Sequence, residues 1–240
     1  MWKMQRLARL LYPPQCLTCD EIVDFVYGLC PKCWGDTPFV TENCCEMCAR
    51  PLIGEVEAGD LCDSCHTTPR PWKRARAALL YEGNARSIVL RLKHGDRTDL
   101  AYPVGEWLAR SARPLVTDNM IVAPVPLHWF RGFKRRYNQS ILLSHRVSSV
   151  LALDHCPNLL QRRMATRKLD GMNAGERMNV VSGAITLRPH YRAKIKGRHV
   201  LLIDDVMTTG ATLTVCAKAC LDGGADQVSV AVLARVAKKN

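Results

Sequence analysis

Most of this 240-residue chain is predicted to form a doubly wound α/β fold, a parallel sheet flanked by helices, preceded by a small metal-binding module. Three observations predict it. Apolar runs alternate with amphipathic stretches from Ala75 to Ala234. One of those runs, Val200–Ile203, stops at two adjacent carboxylates followed by a Thr/Gly loop. Nine of the 12 cysteines crowd between Cys16 and Cys65.

The elements follow in order. Residues 75–81 are expected as a strand, 84–93 as a helix and 100–112 as a second helix. Residues 120–124 read as a strand, 139–151 as a helix and 200–203 as the central strand. A helix over 211–221 and a final strand over 228–234 complete the alternation. Near the start, Met4, Leu7, Leu10 and Leu11 share one helical face, so a docked N-terminal helix is expected there, not a membrane anchor. No apolar stretch approaches the ~18 residues of a membrane span and no signal-peptide core is visible, so a cytoplasmic protein without membrane insertion is expected.

Charge divides the chain unevenly. Residues 1–70 hold 6 Lys/Arg against 10 Asp/Glu, whereas residues 71–240 hold 28 against 12. The boundary is placed at the stiff polar linker Pro69-Arg-Pro71, giving a cysteine module over 1–70 and a basic α/β domain over 71–240. The positive excess of the larger domain suits an anionic ligand, either a phosphorylated sugar or a nucleic acid.

Four C-x-x-C pairs succeed one another: Cys16/Cys19, Cys30/Cys33, Cys45/Cys48 and Cys62/Cys65. Two sulfurs on one tight turn can face one metal, and two such turns supply a tetrahedral S₄ zinc site. Two structural Zn²⁺ sites are expected, one from the first two pairs and one from the last two, with crossed pairing left open by spacing alone. Disulfides need an oxidising compartment, and a redox C-x-x-C would be single. Cys44 and His66 are minor alternative ligands. Cys156 is expected to be inert, and Cys216 and Cys220 to be core thiols.

The segment Val200–Leu213, VLLIDDVMTTGATL, carries the most chemistry. A loop entering a helix presents free backbone N–H groups, where a phosphate can sit. Beside it, Asp204 and Asp205 can accept hydrogen bonds from paired sugar hydroxyls or hold hydrated Mg²⁺. Together these describe a site for a ribose 5-phosphate. A second stretch, VAPVPLHWFRGFKRRYNQS, places Arg131, Lys134, Arg135 and Arg136 in a loop able to grip a further anion.

The strand–loop–helix segment closely resembles the phosphoribosyl diphosphate (PRPP) signature of type I phosphoribosyltransferases. That resemblance implies that Asp204 and Asp205 hold the ribose 2- and 3-hydroxyls. It also implies that the loop of Val206, Met207, Thr208, Thr209, Gly210, Ala211 and Thr212 wraps the 5-phosphate. With the double zinc ribbon, R-G-F-K-R-R-Y-N-Q and I-D-D-V-M-T-T-G-A-T, the chain resembles the ComF family over nearly its whole length. Tyr81-Glu-Gly83, Leu92-Lys93-His94 and Pro124-Val-Pro-Leu127 look like further landmarks, and Lys93 is taken as a ligand-binding residue. Arg162 to Ile185 corresponds to a hood over the site, in which Leu169 stands where family members often carry Gln. Arg177 and Asn179 match an Arg-x-x-Asn element only roughly. The resemblance implies Mg²⁺-dependent pentosyl transfer, with Arg135 and Arg136 offsetting charge on the departing diphosphate. Thr208 replaces the acid of purine-salvage relatives, which disfavours that acceptor class. The rival reading is a non-catalytic accessory that binds single-stranded DNA or a competence helicase.

Overall fold

A computed structural model describes residues 12–94, 97–127, 137–162 and 185–237. The expected N-terminal helix, the basic loop with Arg135 and Arg136, and residues 163–184 of the hood lie outside the described residues.

The α/β domain is built on strands β1 (Arg74–Leu80), β2 (Met120–Pro124), β3 (Asp154–His155), β6 (His199–Met207) and β7 (Gln227–Arg235). Their order is β1-β7-β6-β2-β3, and every pairing is parallel. Helices α1 (Gly83–His94), α2 (Ala101–Ala112) and α3 (Gln139–Leu151) cover one face, and α4 (Ala211–Asp222) covers the other. Two short strands, β4 (Leu160–Arg162) and β5 (Ile185–Leu187), form a separate antiparallel ladder. Alternation along β6 explains the double core. Leu201 and Ile203 pack with the α1–α3 side, Val200 and Leu202 with the α4 side, and all four are fully buried.

The expected helices and strands of this domain are present, with ends shifted by a few residues. One difference bears on function. The central strand was expected to stop at Ile203, but β6 runs through both aspartates to Met207. The reason is its neighbour: β7 stays apolar and buried to Ala234, and the ladder pairs Asp204 with Val232 and Met207 with Arg235.

The cysteine module contains two knuckles of the same local form. The N–H groups of Cys16 and Cys45 each donate to the carbonyl five residues on, those of Glu21 and Arg50, at 2.7 Å. Asp20 and Ala49, each just after a knuckle, share a left-handed conformation at φ 62° and 56°. The module then runs along the outer side of β1. Val40 N–H donates to Ala78 (3.0 Å), Leu80 N–H to Pro38 (2.8 Å) and Ala75 N–H to Glu46 (2.8 Å). A carboxylate clamps this seam: Glu46 accepts from Arg74 Nε and from Arg76 Nη2, the latter at 2.7 Å. Burial raises the Glu46 carboxyl, but the two guanidiniums hold it below its ordinary range. Glu46→Gln should leave both guanidiniums short of an anion and cost about 1–3 kcal/mol. A melting temperature lowered by about 3–8 °C in calorimetry at pH 7 is the expected reading.

Candidate functional site

The site lies beyond the carboxyl ends of β6 and β2, where ligands of open α/β sheets bind. Asn138 caps α3, accepting from Ser140 N–H at 3.0 Å while its amide donates to Val125 at 3.3 Å. This ties the helix start to the end of β2 and brings Ser140 to Asp204, whose Oδ1 accepts from the Ser140 hydroxyl at 3.0 Å. Asp205 N–H donates to the same oxygen at 2.9 Å. On the other carboxylate, Asp205 Oδ1 meets Lys93 Nζ at 2.9 Å, both side chains being largely buried. Lys93 stands in the last turn of α1, held close by Tyr137, whose hydroxyl donates to the Leu92 carbonyl at 2.6 Å.

Burial and the neighbouring Asp205 push the Asp204 carboxyl up to about 7, against the pull of the Asp205 amide, the Ser140 hydroxyl and Lys93. A carboxyl poised there takes a proton near neutrality and becomes a strong acceptor once deprotonated.

Next to the pair, a cavity of about 210 Å³ is lined by Asp204 and residues 206–213. The loop turns at Gly210, whose φ of +84° suits glycine, and α4 starts with Gly210 as its N-cap. Among the described residues, the backbone N–H groups of Thr208, Thr209 and Gly210 donate to no turn or loop carbonyl. Amides without such a partner at a helix entrance, beside a pair of carboxylate acceptors, have the chemistry to take an anion and hydroxyls.

Two guanidiniums support the loop from behind. Arg235 Nη1 donates to the carbonyls of Met207 (3.1 Å) and Thr208 (2.7 Å), and its Nε to Cys48 (2.9 Å). Arg70 Nη1 donates to the Thr209 carbonyl at 2.6 Å while the guanidinium lies 5.2 Å from the centre of the Trp72 ring.

The cysteines settle into two groups, Cys16/Cys19/Cys30/Cys33 and Cys45/Cys48/Cys62/Cys65, each with its sulfurs within 4.8 Å of one another. Knuckle pairing is therefore sequential, not crossed. Sulfur separations of 3.7 Å (Cys19–Cys30) and 3.6 Å (Cys48–Cys62) match the roughly 3.8 Å edge of a tetrahedron with ~2.3 Å Zn–S bonds. None of the 12 cysteines is in a disulfide, and Cys30 N–H donates to Cys16 Sγ at 3.3 Å. The donor sets fit zinc. Cys44 is buried outside the second group, and Cys156, Cys216 and Cys220 are core thiols.

This arrangement is matched in known proteins. Residues 7–72 match the double zinc ribbon domain, and residues 111–240 the phosphoribosyl transferase domain. Competence protein F of Haemophilus influenzae is 35% identical over 229 residues, covering 89% of this chain and 100% of that one. The chain belongs to the ComF family. DNA utilization protein YhgH of Escherichia coli K12 is 28% identical over 215 residues, spanning 87% of this chain and 91% of its own. Competence protein ComFC of Bacillus subtilis is 26% identical over 200 residues, 82% of this chain and 79% of its own.

For this ComF chain the structure lines one cavity with Asp204 and residues 206–212, and pairs Lys93 with the adjacent Asp205. Arg135 and Arg136 lie outside the described residues. Sequence reasoning missed Ser140, Arg70 and Arg235. Arg235 left a trace, as a charge ending an apolar run; Ser140 sits two residues past a capping Asn, and Arg70 had no local signal.

The raised Asp204 has a stability consequence with a definite sign. Its proton is held more tightly in the folded state, so the associated stability is full below pH ~4 and is lost as pH rises through about 7. Asp204→Asn should therefore raise the melting temperature more at pH 8 than at pH 5, measured by scanning calorimetry. An equal shift at both would show that Asp204 titrates normally.

Proposed function

We propose that this protein binds PRPP or a related ribose 5-phosphate and acts as a Mg²⁺-dependent phosphoribosyltransferase, with two structural Zn²⁺ ions in its N-terminal module. The observation that carries this reading is the placement of Asp204 and Asp205 beside the cavity bounded by residues 206–213. In it, the amides of Thr208 to Gly210 and the entrance of α4 receive the 5-phosphate. The two carboxylates accept the ribose hydroxyls; Asp205 has one oxygen on Lys93 and keeps the other for this use. Arg135 and Arg136 balance charge on the diphosphate as the C1 bond loosens.

The donor set fits Mg²⁺ that arrives with its ligand. Two carboxylates, one of them already paired with an ammonium, are too few to cage the ion, which is commonly held by one or two carboxylates plus substrate phosphates. Asp204 and Asp205 would help hold Mg²⁺, which would supply positive charge against the diphosphate. Catalysis rests on positioning and charge, since no acid or base of the described loop, residues 206–213, stands where an acceptor would be deprotonated. The free thiols and the lack, among described residues, of a helix able to span a membrane support a reducing, cytoplasmic setting.

A second reading draws on the relatives' names, which speak of competence and DNA utilization, and on the excess of positive charge in residues 71–240. In it the sugar-phosphate site serves regulation, and the protein works in DNA uptake by contacting single-stranded DNA or a helicase.

Titration calorimetry with PRPP and Mg²⁺ decides between them. Saturable binding lost in Asp204→Ala/Asp205→Ala is expected; no binding by the wild type, with salt-sensitive oligonucleotide binding instead, would favour the accessory role. Because Asp204 must shed its proton, affinity should climb between pH 6 and 7.5 and then level. Elemental analysis should find two zinc ions per chain, and one in Cys16→Ser/Cys19→Ser.

A further inference from the structure

Three consecutive peptide groups of the loop have their carbonyls held by guanidiniums. Met207 and Thr208 present theirs to Arg235, and Thr209 presents its own to Arg70. A trans peptide is planar, with its C=O and N–H pointing in opposite directions. Fixing the carbonyls of 207, 208 and 209 therefore fixes the N–H groups of Thr208, Thr209 and Gly210 on the other side. Among the described residues those three amides have no turn or loop carbonyl as partner, and their residues line the cavity. The two charges also polarise the peptides, strengthening each N–H as a donor toward an anion.

Both guanidiniums are placed by the cysteine module, and specifically by its second half. Arg235 Nε donates to the carbonyl of Cys48, one of the four sulfur ligands there. Arg70 follows Cys65 by five residues in the chain and stacks on Trp72, whose indole N–H donates to Met47 at 2.7 Å, between Cys45 and Cys48. Contact with the loop is tight: a Cβ on Gly210 would come 2.5 Å from Arg70 Nη1 and 3.1 Å from the Trp72 ring. The first cysteine group, by contrast, leans on α1, through Arg91 to Leu17 and Thr18 (3.2 and 3.1 Å) and Asn84 to Cys33 (3.3 Å).

We propose that Arg70 and Arg235 are positioning residues of the phosphate loop, and that through them the second Cys₄ site, when it holds its metal, sets how tightly the loop binds a phosphomonoester. The ligand's identity rests on the function proposed above; the coupling between metal site and loop does not. The zinc ribbon is on this view a working part of the sugar-phosphate site. Loss of metal from the second group lets Cys48 and residues 65–72 shift, frees the carbonyls of 207–209, and scatters the amides that face the anion.

The test uses the full chain as wild type, Arg70→Gln, Arg70→Lys, Cys62→Ser/Cys65→Ser, and Arg70→Gln combined with Cys62→Ser/Cys65→Ser, with Cys16→Ser/Cys19→Ser as the control for zinc loss. Two readings are taken. Calorimetry with ribose 5-phosphate should show affinity falling roughly tenfold in Arg70→Gln and in the second-site variant, recovering in part in Arg70→Lys, and changing little in the control. The combined variant should bind no more weakly than either parent, because both remove one coupling. Without ligand, the ¹⁵N–¹H resonances of Thr208, Thr209 and Gly210 should move in Arg70→Gln and in the second-site variant, and stay in place in the control. Arg70→Gln keeps all eight thiols, so it answers even if the cysteine variant fails to fold.

Unmoved resonances, additive losses of affinity, or equal losses in the control would overturn the proposal while leaving the ligand reading intact. Resonances that move in those two variants, when the wild type itself binds no ribose 5-phosphate, would sink the ligand reading and support the coupling.

Discussion

One buried guanidinium joins the parts of this molecule. Arg235 ends β7, reaches across to the last carbonyls of β6 and the first of the loop, and touches the backbone of the second knuckle. It is 7% exposed, and its side chain also reaches its own chain at Val236. A buried charge is stable only when its donors are used, and here carbonyl dipoles, not a carboxylate, satisfy them. The arrangement fastens a strand end, a ligand loop and a metal module to the same atom group. Movement in one is therefore felt in the others.

The acid pair shows the opposite economy. Two neighbouring carboxylates at a strand end repel each other, and among the described residues Lys93, the Ser140 hydroxyl and one amide offset that repulsion. The pair therefore suits a partner that brings positive charge and hydroxyl donors. A ligand bringing both relieves the repulsion that Asp204 otherwise meets by taking up a proton. On the proposed reading, the same residues that cost stability in the free protein supply the affinity.

The fold was legible because its signals are local. Apolar runs of strand length, a capping Asn at 138 and amphipathic periodicity over 139–151 each act within a few residues. The Asp-Asp-to-Thr-Gly segment was legible for the same reason, being a contiguous strand, loop and helix entrance. What escaped was either short or distant. β3 has two residues and β4 and β5 three each, below the length at which a period can be seen. β6 outran its expected end because its partner, not its own composition, extends the ladder. Arg70 meets Thr209 across 139 positions, a contact that exists only once the module has docked.

That docking has a consequence for the sheet itself. β1 lies at the sheet's outer side, and residues 38–46 occupy its free backbone groups through Val40, Leu80 and Ala75. An α/β fragment trimmed of its cysteine-rich half would expose that row of unpaired donors and acceptors along a seven-residue strand. Such a fragment would tend to pair edge to edge with its own copies and leave solution. The metal module is, in this sense, also the domain's guard against self-association.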